Sequence, residues 1–174
     1  EGVYEFRIAL VDLEARKIHG FNERDPSLVS TLPDKKNKIL ISFAERTSGG
    51  VGAKLQEAFR PRAYWEFDLK TGSKKLLIRG KILLGNIDFD GGGNPVLARG
   101  FDLASREYLW FWRPENTGEW QEFYRQSEDA FEEFRVFGLD PQVPGNLIVE
   151  ANRNANTSGL WSFDPDTREF SELL

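Results

Sequence analysis

The stretch Trp65–Leu77, WEFDLKTGSKKLL, returns at Trp161–Leu174 as WSFDPDTREFSELL. Each copy has aromatic residues alternating with polar ones, an Asp that opens a turn, and a second short run ending in Leu-Leu. A related phrase lies between them at Leu109–Phe123, LWFWRPENTGEWQEF, and a weaker one begins at Ile8, IALVDLEARKIHGF. Setting Trp65, Trp110 and Trp161 as equivalents gives spacings of 45 and 51 residues. Self-similarity near that period marks stacked supersecondary units, either propeller blades of ~40–50 residues or helical pairs of the HEAT type.

The local pattern selects strands. In RAYWEFDL the residues Ala63, Trp65 and Phe67 share one face; in REYLWFWR Tyr108, Trp110 and Trp112 do; in SGLWSFDP Leu160 and Ser162 alternate with Trp161 and Phe163. This is period-2 packing rather than a helical stripe. Clusters of Asp, Pro, Asn, Thr and Gly follow at Asp68–Gly72, Pro114–Gly118 and Asp164–Thr167, residue types that close turns. Two further strands are expected upstream of each hairpin: SLVSTLP and KILISFAE, LLGNIDFD and NPVLARGFD, EFRVFGLDP and GNLIVEANRN. The unit therefore has four antiparallel strands, as a propeller blade does.

The expected fold is all-β, a single partial β-propeller domain over residues 1–174 with a half blade at 1–22 and blades at 27–80, 82–126 and 132–174. Closed propellers typically have about four to eight blades. With three and a half blades, Glu1 at the start and no Met anywhere, the chain is expected to be a piece of a longer protein.

Composition narrows the function. A hydrophobic content of 40% with 13% aromatics supports a sizeable β core, and the best helical stretches, GGVGAKLQEAF and SEDAFEEF, allow only a few turns. The net charge of −5 offers no basic footprint for nucleic acid. No apolar run approaches the ~20 residues of a membrane-spanning helix, so no membrane association is expected. With no Cys there is neither a disulfide framework nor a thiolate metal site, and no cofactor is indicated. Both the bacterial cytoplasm and the periplasm accept such a chain.

Catalytic chemistry has little to build on. The single histidine, His19, lies in the strand RKIHGF without a nucleophile beside it, and no Gly-x-Ser-x-Gly elbow occurs. The run DFDGGGN places Asp88, Asp90 and Asn94 on alternate positions of a glycine-rich loop, a weak candidate for Ca²⁺ that lacks the acidic twelfth position of an EF-hand. The same letters describe a hairpin turn. Glu128, Asp129, Glu132 and Glu133 form an acidic connector; Glu132 and Glu133 could hold a substrate ammonium group, while charge runs usually face water. Thr47–Gly52 and Asn152–Gly159 are polar loops between second and third strands, where partners are met.

The succession NIDFDGGGNPVLARGFD, EYLWFWRPENTGEWQEF and FRVFGLDPQVPGNLIVEANRNANTSGLWSFDPDTREFSELL, about residues 84–174, resembles the N-terminal propeller of bacterial prolyl oligopeptidase-family serine peptidases. The similar branch is that of the dipeptidyl aminopeptidases and acylaminoacyl peptidases. The resemblance implies a non-catalytic propeller that gates peptide access to a C-terminal α/β-hydrolase domain absent from this chain. Dipeptidyl-peptidase relatives hold the substrate amino terminus with a paired Glu, which the resemblance places at Glu132 and Glu133; the surrounding DAFEEFRVF departs from that motif. The alternative is a stand-alone propeller module that binds a partner, of the TolB-like or carbohydrate-binding kind. Unclosed blades leave sheet edges able to pair with another chain, so self-association is also expected.

Overall fold

A computed structural model describes residues 9–20, 26–44, 61–81, 83–113, 118–131, 134–153 and 157–173. Their regular structure is entirely β, with no helix among the described residues. Strands β1 (Ala9–Asp12) and β2 (Lys17–Gly20) form a two-stranded antiparallel sheet. Sheet I follows with β3 (Ser27–Ser30), β4 (Lys38–Ala44), β5 (Arg62–Asp68) and β6 (Lys74–Arg79). Sheet II has β7 (Asn86–Phe89), β8 (Pro95–Asp102), β9 (Glu107–Trp112) and β10 (Gln121–Ser127). Sheet III has β11 (Phe134–Leu139), β12 (Leu147–Ala151), β13 (Gly159–Phe163) and β14 (Phe170–Glu172). Each four-stranded sheet is an antiparallel meander in chain order. Every strand expected from alternation and turn residues is present. The stretch SEDAFEEF forms no helix at Glu128–Phe131, where the chain turns, and GGVGAKLQEAF lies outside the described residues.

Burial falls from the middle of each sheet to its edges. Strand β4 is apolar on both faces, with Leu40 and Ile41 fully buried, because it is central in its sheet and covered on both sides. The edge strands β6, β10 and β14 instead carry exposed polar residues, which discourages pairing with stray strands.

Adjacent sheets pack face to face. Leu40 and Tyr64 of sheet I meet Ile87 and Ala98 of sheet II, with Leu32 of the β3–β4 turn sealed between them. On its other face sheet II places Leu97, Trp110, Trp112 and Phe123 against Phe134, Leu147, Val149 and Phe163 of sheet III. The cluster of Ile41, Phe43, Phe67 and Trp65 occupies the opposite face of sheet I.

These contacts correct the register of the sequence repeat. Trp65, Trp110 and Trp161 all lie in the third strand of their sheets. Trp161, however, packs toward the preceding sheet and Trp110 toward the following one. Cross-strand partners give the true equivalence: Tyr64 pairs with Ser42, Trp110 with Arg99 and Leu160 with Glu150. Tyr64, Trp110 and Leu160 are thus the matching positions that face the next sheet. A shift of one residue moves a side chain to the other face, and alternating aromatics on both faces of β9 hide that shift.

Candidate functional site

The two ends of the stacked sheets differ. At one end lie the turns joining first to second and third to fourth strands, and most of them are closed by an aspartate. Asp68 Oδ1 accepts the N–H groups of Lys70 and Thr71, both at 2.9 Å. Asp164 Oδ1 accepts those of Asp166 and Thr167, and Asp140 Oδ1 those of Gln142 and Val143. The N–H donors, that of Thr71 foremost for Asp68 and that of Thr167 for Asp164, hold both carboxyls below the usual carboxylate range. The fourth residue after Asp12, Asp68 and Asp164 has positive φ: Arg16, Gly72 and Arg168. Turns of neighbouring sheets touch at this end, with Asp34 N–H donating to Gly91 C=O at 3.4 Å.

The opposite end carries the links from second to third strands, residues 45–61, 103–106 and 152–158, and the connectors between sheets. Arg106 at the β8–β9 turn pairs with Glu128 of the connector at 2.9 Å, which fixes these segments side by side. Phe131 in the same connector is 98% exposed. On sheet III the Arg153 guanidinium lies 4.4 Å from the Phe170 ring centroid and 5.9 Å from that of Trp161. Trp161 Nε1–H donates to Ala151 C=O at 3.1 Å, so the indole plane is fixed beside the β12–β13 loop. An aromatic surface with a cation over it is suited to binding a flat or apolar partner group.

The candidate calcium residues are placed as follows. Asp90 and Asn94 come together as two sides of one turn: Asp90 Oδ1 accepts the Asn94 N–H at 2.8 Å and Oδ2 accepts the Asn94 side-chain amide at 2.9 Å. Asp88 stands in β7 opposite Leu97 at an exposed position. Desolvation by the packed strands around it raises its carboxyl, and Arg99 acts in the other direction. Among the described residues, no group of three or more His, Cys, Asp or Glu is arranged to hold a metal ion. The glycine run has a packing role instead. A side chain at Gly91 would meet the Asp34 carboxylate, and Gly93, at φ 78°, lies under Leu32. Glu132 and Glu133 lie outside the described residues, and His19 is on β2 across from Leu10.

The sequence reading missed a buried polar set in sheet III. Ser162 donates its hydroxyl to Asp140 Oδ2 at 2.5 Å and accepts from Asn146 Nδ2 at 3.0 Å. Both Asp140 and Ser162 are buried. The Ser162 hydroxyl, followed by the Gln142 and Val143 N–H groups, holds Asp140 below the usual range. No imidazole adjoins this serine among the described residues, so it braces the β11–β12 turn rather than acting as a nucleophile. Asn146 and Ser162 are 16 residues apart, and only the strand register could have revealed the set.

No protein-family model, curated protein or solved structure matches the chain.

Proposed function

We propose that the three four-stranded sheets are consecutive blades of a β-propeller and act as a non-catalytic scaffold that gates peptide access to the α/β-hydrolase domain of a serine peptidase. The observation that supports the blade reading is the repeated geometry: meanders in chain order, each stacked on the next through the outward-facing residue of its third strand. The peptidase assignment rests on the sequence resemblance over residues 84–174. With one histidine in the whole chain, a Ser-His-Asp triad would have to recruit His19.

Two measurements test the reading. The purified chain is expected to leave dipeptidyl-anilide and ester substrates intact, and turnover abolished by a serine-directed inhibitor would overturn the non-catalytic role. In the parent gene, a Gly-x-Ser-x-Gly followed by Asp and then His is expected downstream. Its absence overturns the peptidase assignment.

A second reading, a partner-binding scaffold without a hydrolase, is favoured by exposed Phe131 and the Arg153–Trp161–Phe170 cluster at the loop-bearing end. A Phe131→Ser variant that folds normally but loses a pulled-down partner would support it.

A further inference from the structure

The net charge of −5 conceals a segregation by sheet. Residues 82–174, which supply sheets II and III, carry 17 acidic and 7 basic side chains and no lysine. Sheet I is the reverse. Residues 69–87 hold Lys70, Lys74, Lys75, Arg79 and Lys81, with no Asp or Glu among them. All five are exposed, and they line β6 and the segments at its two ends. Glu66, across from Lys75 in register, is already taken by Lys35 at 2.8 Å and Lys38 at 3.3 Å. Lys70, Lys75 and Lys81 form no ion pair among the described residues.

Strand β6 is also an edge. Its outer N–H and C=O groups have no strand beside them among the described residues, since the order of sheet I ends there. The sheets stack through their faces, so a further sheet added to the stack would leave this edge open. The equivalent edges are built differently: on β10 Arg125 is held by Glu107 at 2.7 Å and Glu122 at 2.9 Å, and β14 carries Glu172. Charge of either sign keeps stray strands away, so protection does not explain why β6 is basic. Lys75 lies on the face of Glu66 and Lys74 on the face of Phe67, so the charges bracket the edge from both sides of the sheet. A membrane would engage charges gathered on one plane, and a long phosphate polymer would run onto the acidic sheets beside this one. A short acidic strand laid along β6 satisfies both the open backbone groups and the lysines.

We propose that the outer edge of sheet I captures an acidic, extended segment of a partner protein, which adds as a further strand beside β6 with its carboxylates between the basic side chains of the two faces. The same lysines repel basic strands, the β6 of another copy included, so one feature supplies both attraction and selectivity. The strip lies within sheet I, and the proposal stands whether or not the scaffold serves a hydrolase.

Fluorescence anisotropy tests it with a labelled peptide of about seven residues alternating Glu and Val, a length matched to β6. Saturable binding is expected, with a Kd of about 10–100 µM. Lys70→Glu, Lys75→Glu and Lys81→Glu together should weaken it by about tenfold or more. The urea midpoint should not move, because all three side chains are exposed. Lys17→Glu, the same charge change on an exposed position of β2, should alter binding by less than about twofold. A peptide N-methylated throughout keeps its charge but offers β6 no donors, and its binding should fall by about tenfold or more. Binding that survives methylation, or that an oligothymidine or phosphatidylserine vesicles match, overturns the proposal in favour of a general anion site. It is overturned equally by no saturable binding, or by binding that the triple reversal leaves unchanged.

Discussion

The two contacts between sheets share a strand plan and differ in chemistry. Between sheets I and II the buried residues are mostly aliphatic, and the contact is pinned by hydrogen bonds: the Tyr64 hydroxyl to β7, and the β3–β4 turn to the glycine run. Between sheets II and III the contact is aromatic. Tyr124 stacks on Phe134 at 3.7 Å, and Phe134 in turn meets Trp110, Phe163 and Phe170 edge-on. The first contact fixes direction through polar groups that must be satisfied, and the second fixes it through ring geometry. A repeated fold therefore conserves strand order and burial position while its interface residues diverge, which is why the sequence copies are loose.

Substitutions can separate the two. Phe134→Ala removes the hub of the aromatic contact and should cost about 3–5 kcal/mol by urea denaturation. A loss below about 1 kcal/mol would mean that the rings contribute area without interlocking. Gly100→Ala probes how closely the connector rides on sheet II, since a Cβ there would run into the Leu83 C=O. It should cost about 3 kcal/mol, with proteolysis rising at the connector. Tyr64→Phe leaves the ring and deletes both hydrogen bonds, so about 1–2 kcal/mol is expected. A neutral result would show that the aliphatic contact needs no pin.

Acid acts on sheet III before it acts on the rings. Asp140 has a folded-state pKa below its unfolded one, so its contribution is complete above the ordinary carboxylate range and is lost as pH falls through the folded value. The urea midpoint should hold steady from neutral pH to about 5 and fall below about 4, with a shallower fall in Asp140→Asn. The smallest effect is expected at Arg168, whose φ of 62° glycine adopts freely. Arg168→Gly should shift stability by no more than about 0.5 kcal/mol in either direction, because relieved strain is offset by the unfolded chain's added freedom.

Most of the architecture was legible. Alternation in RAYWEFD and EYLWFW, with Asp- and Gly-containing turns, marked the strands, because sheet packing imposes a period of two that the letters carry directly. The facing of Trp110 was not legible. Strand β9 is apolar on both sides, so alternation could not say which side met sheet III. The glycine run at Gly91–Gly93 read as a loose loop or ion site, because the turn that fills the space above it comes from residues 32–34, far away in sequence. The Asp140–Ser162 pair was hidden for the same reason. Of the candidate site, the loop-bearing end could be named from strand order, while the Arg153–Trp161–Phe170 grouping needed the cross-strand register.

The aspartate-closed turns have a practical corollary. Where a carboxylate grips two amides within three residues, an inserted sequence would tear out its own clasp, so that rim resists grafting. On the other rim the short turn at residues 103–106 is clasped in the same way, Asp102 Oδ1 accepting the Ala104 N–H at 2.9 Å and Arg106 pairing with Glu128. A tag, a reporter or a new recognition loop therefore belongs in the long link between β4 and β5 and not in any clasped turn.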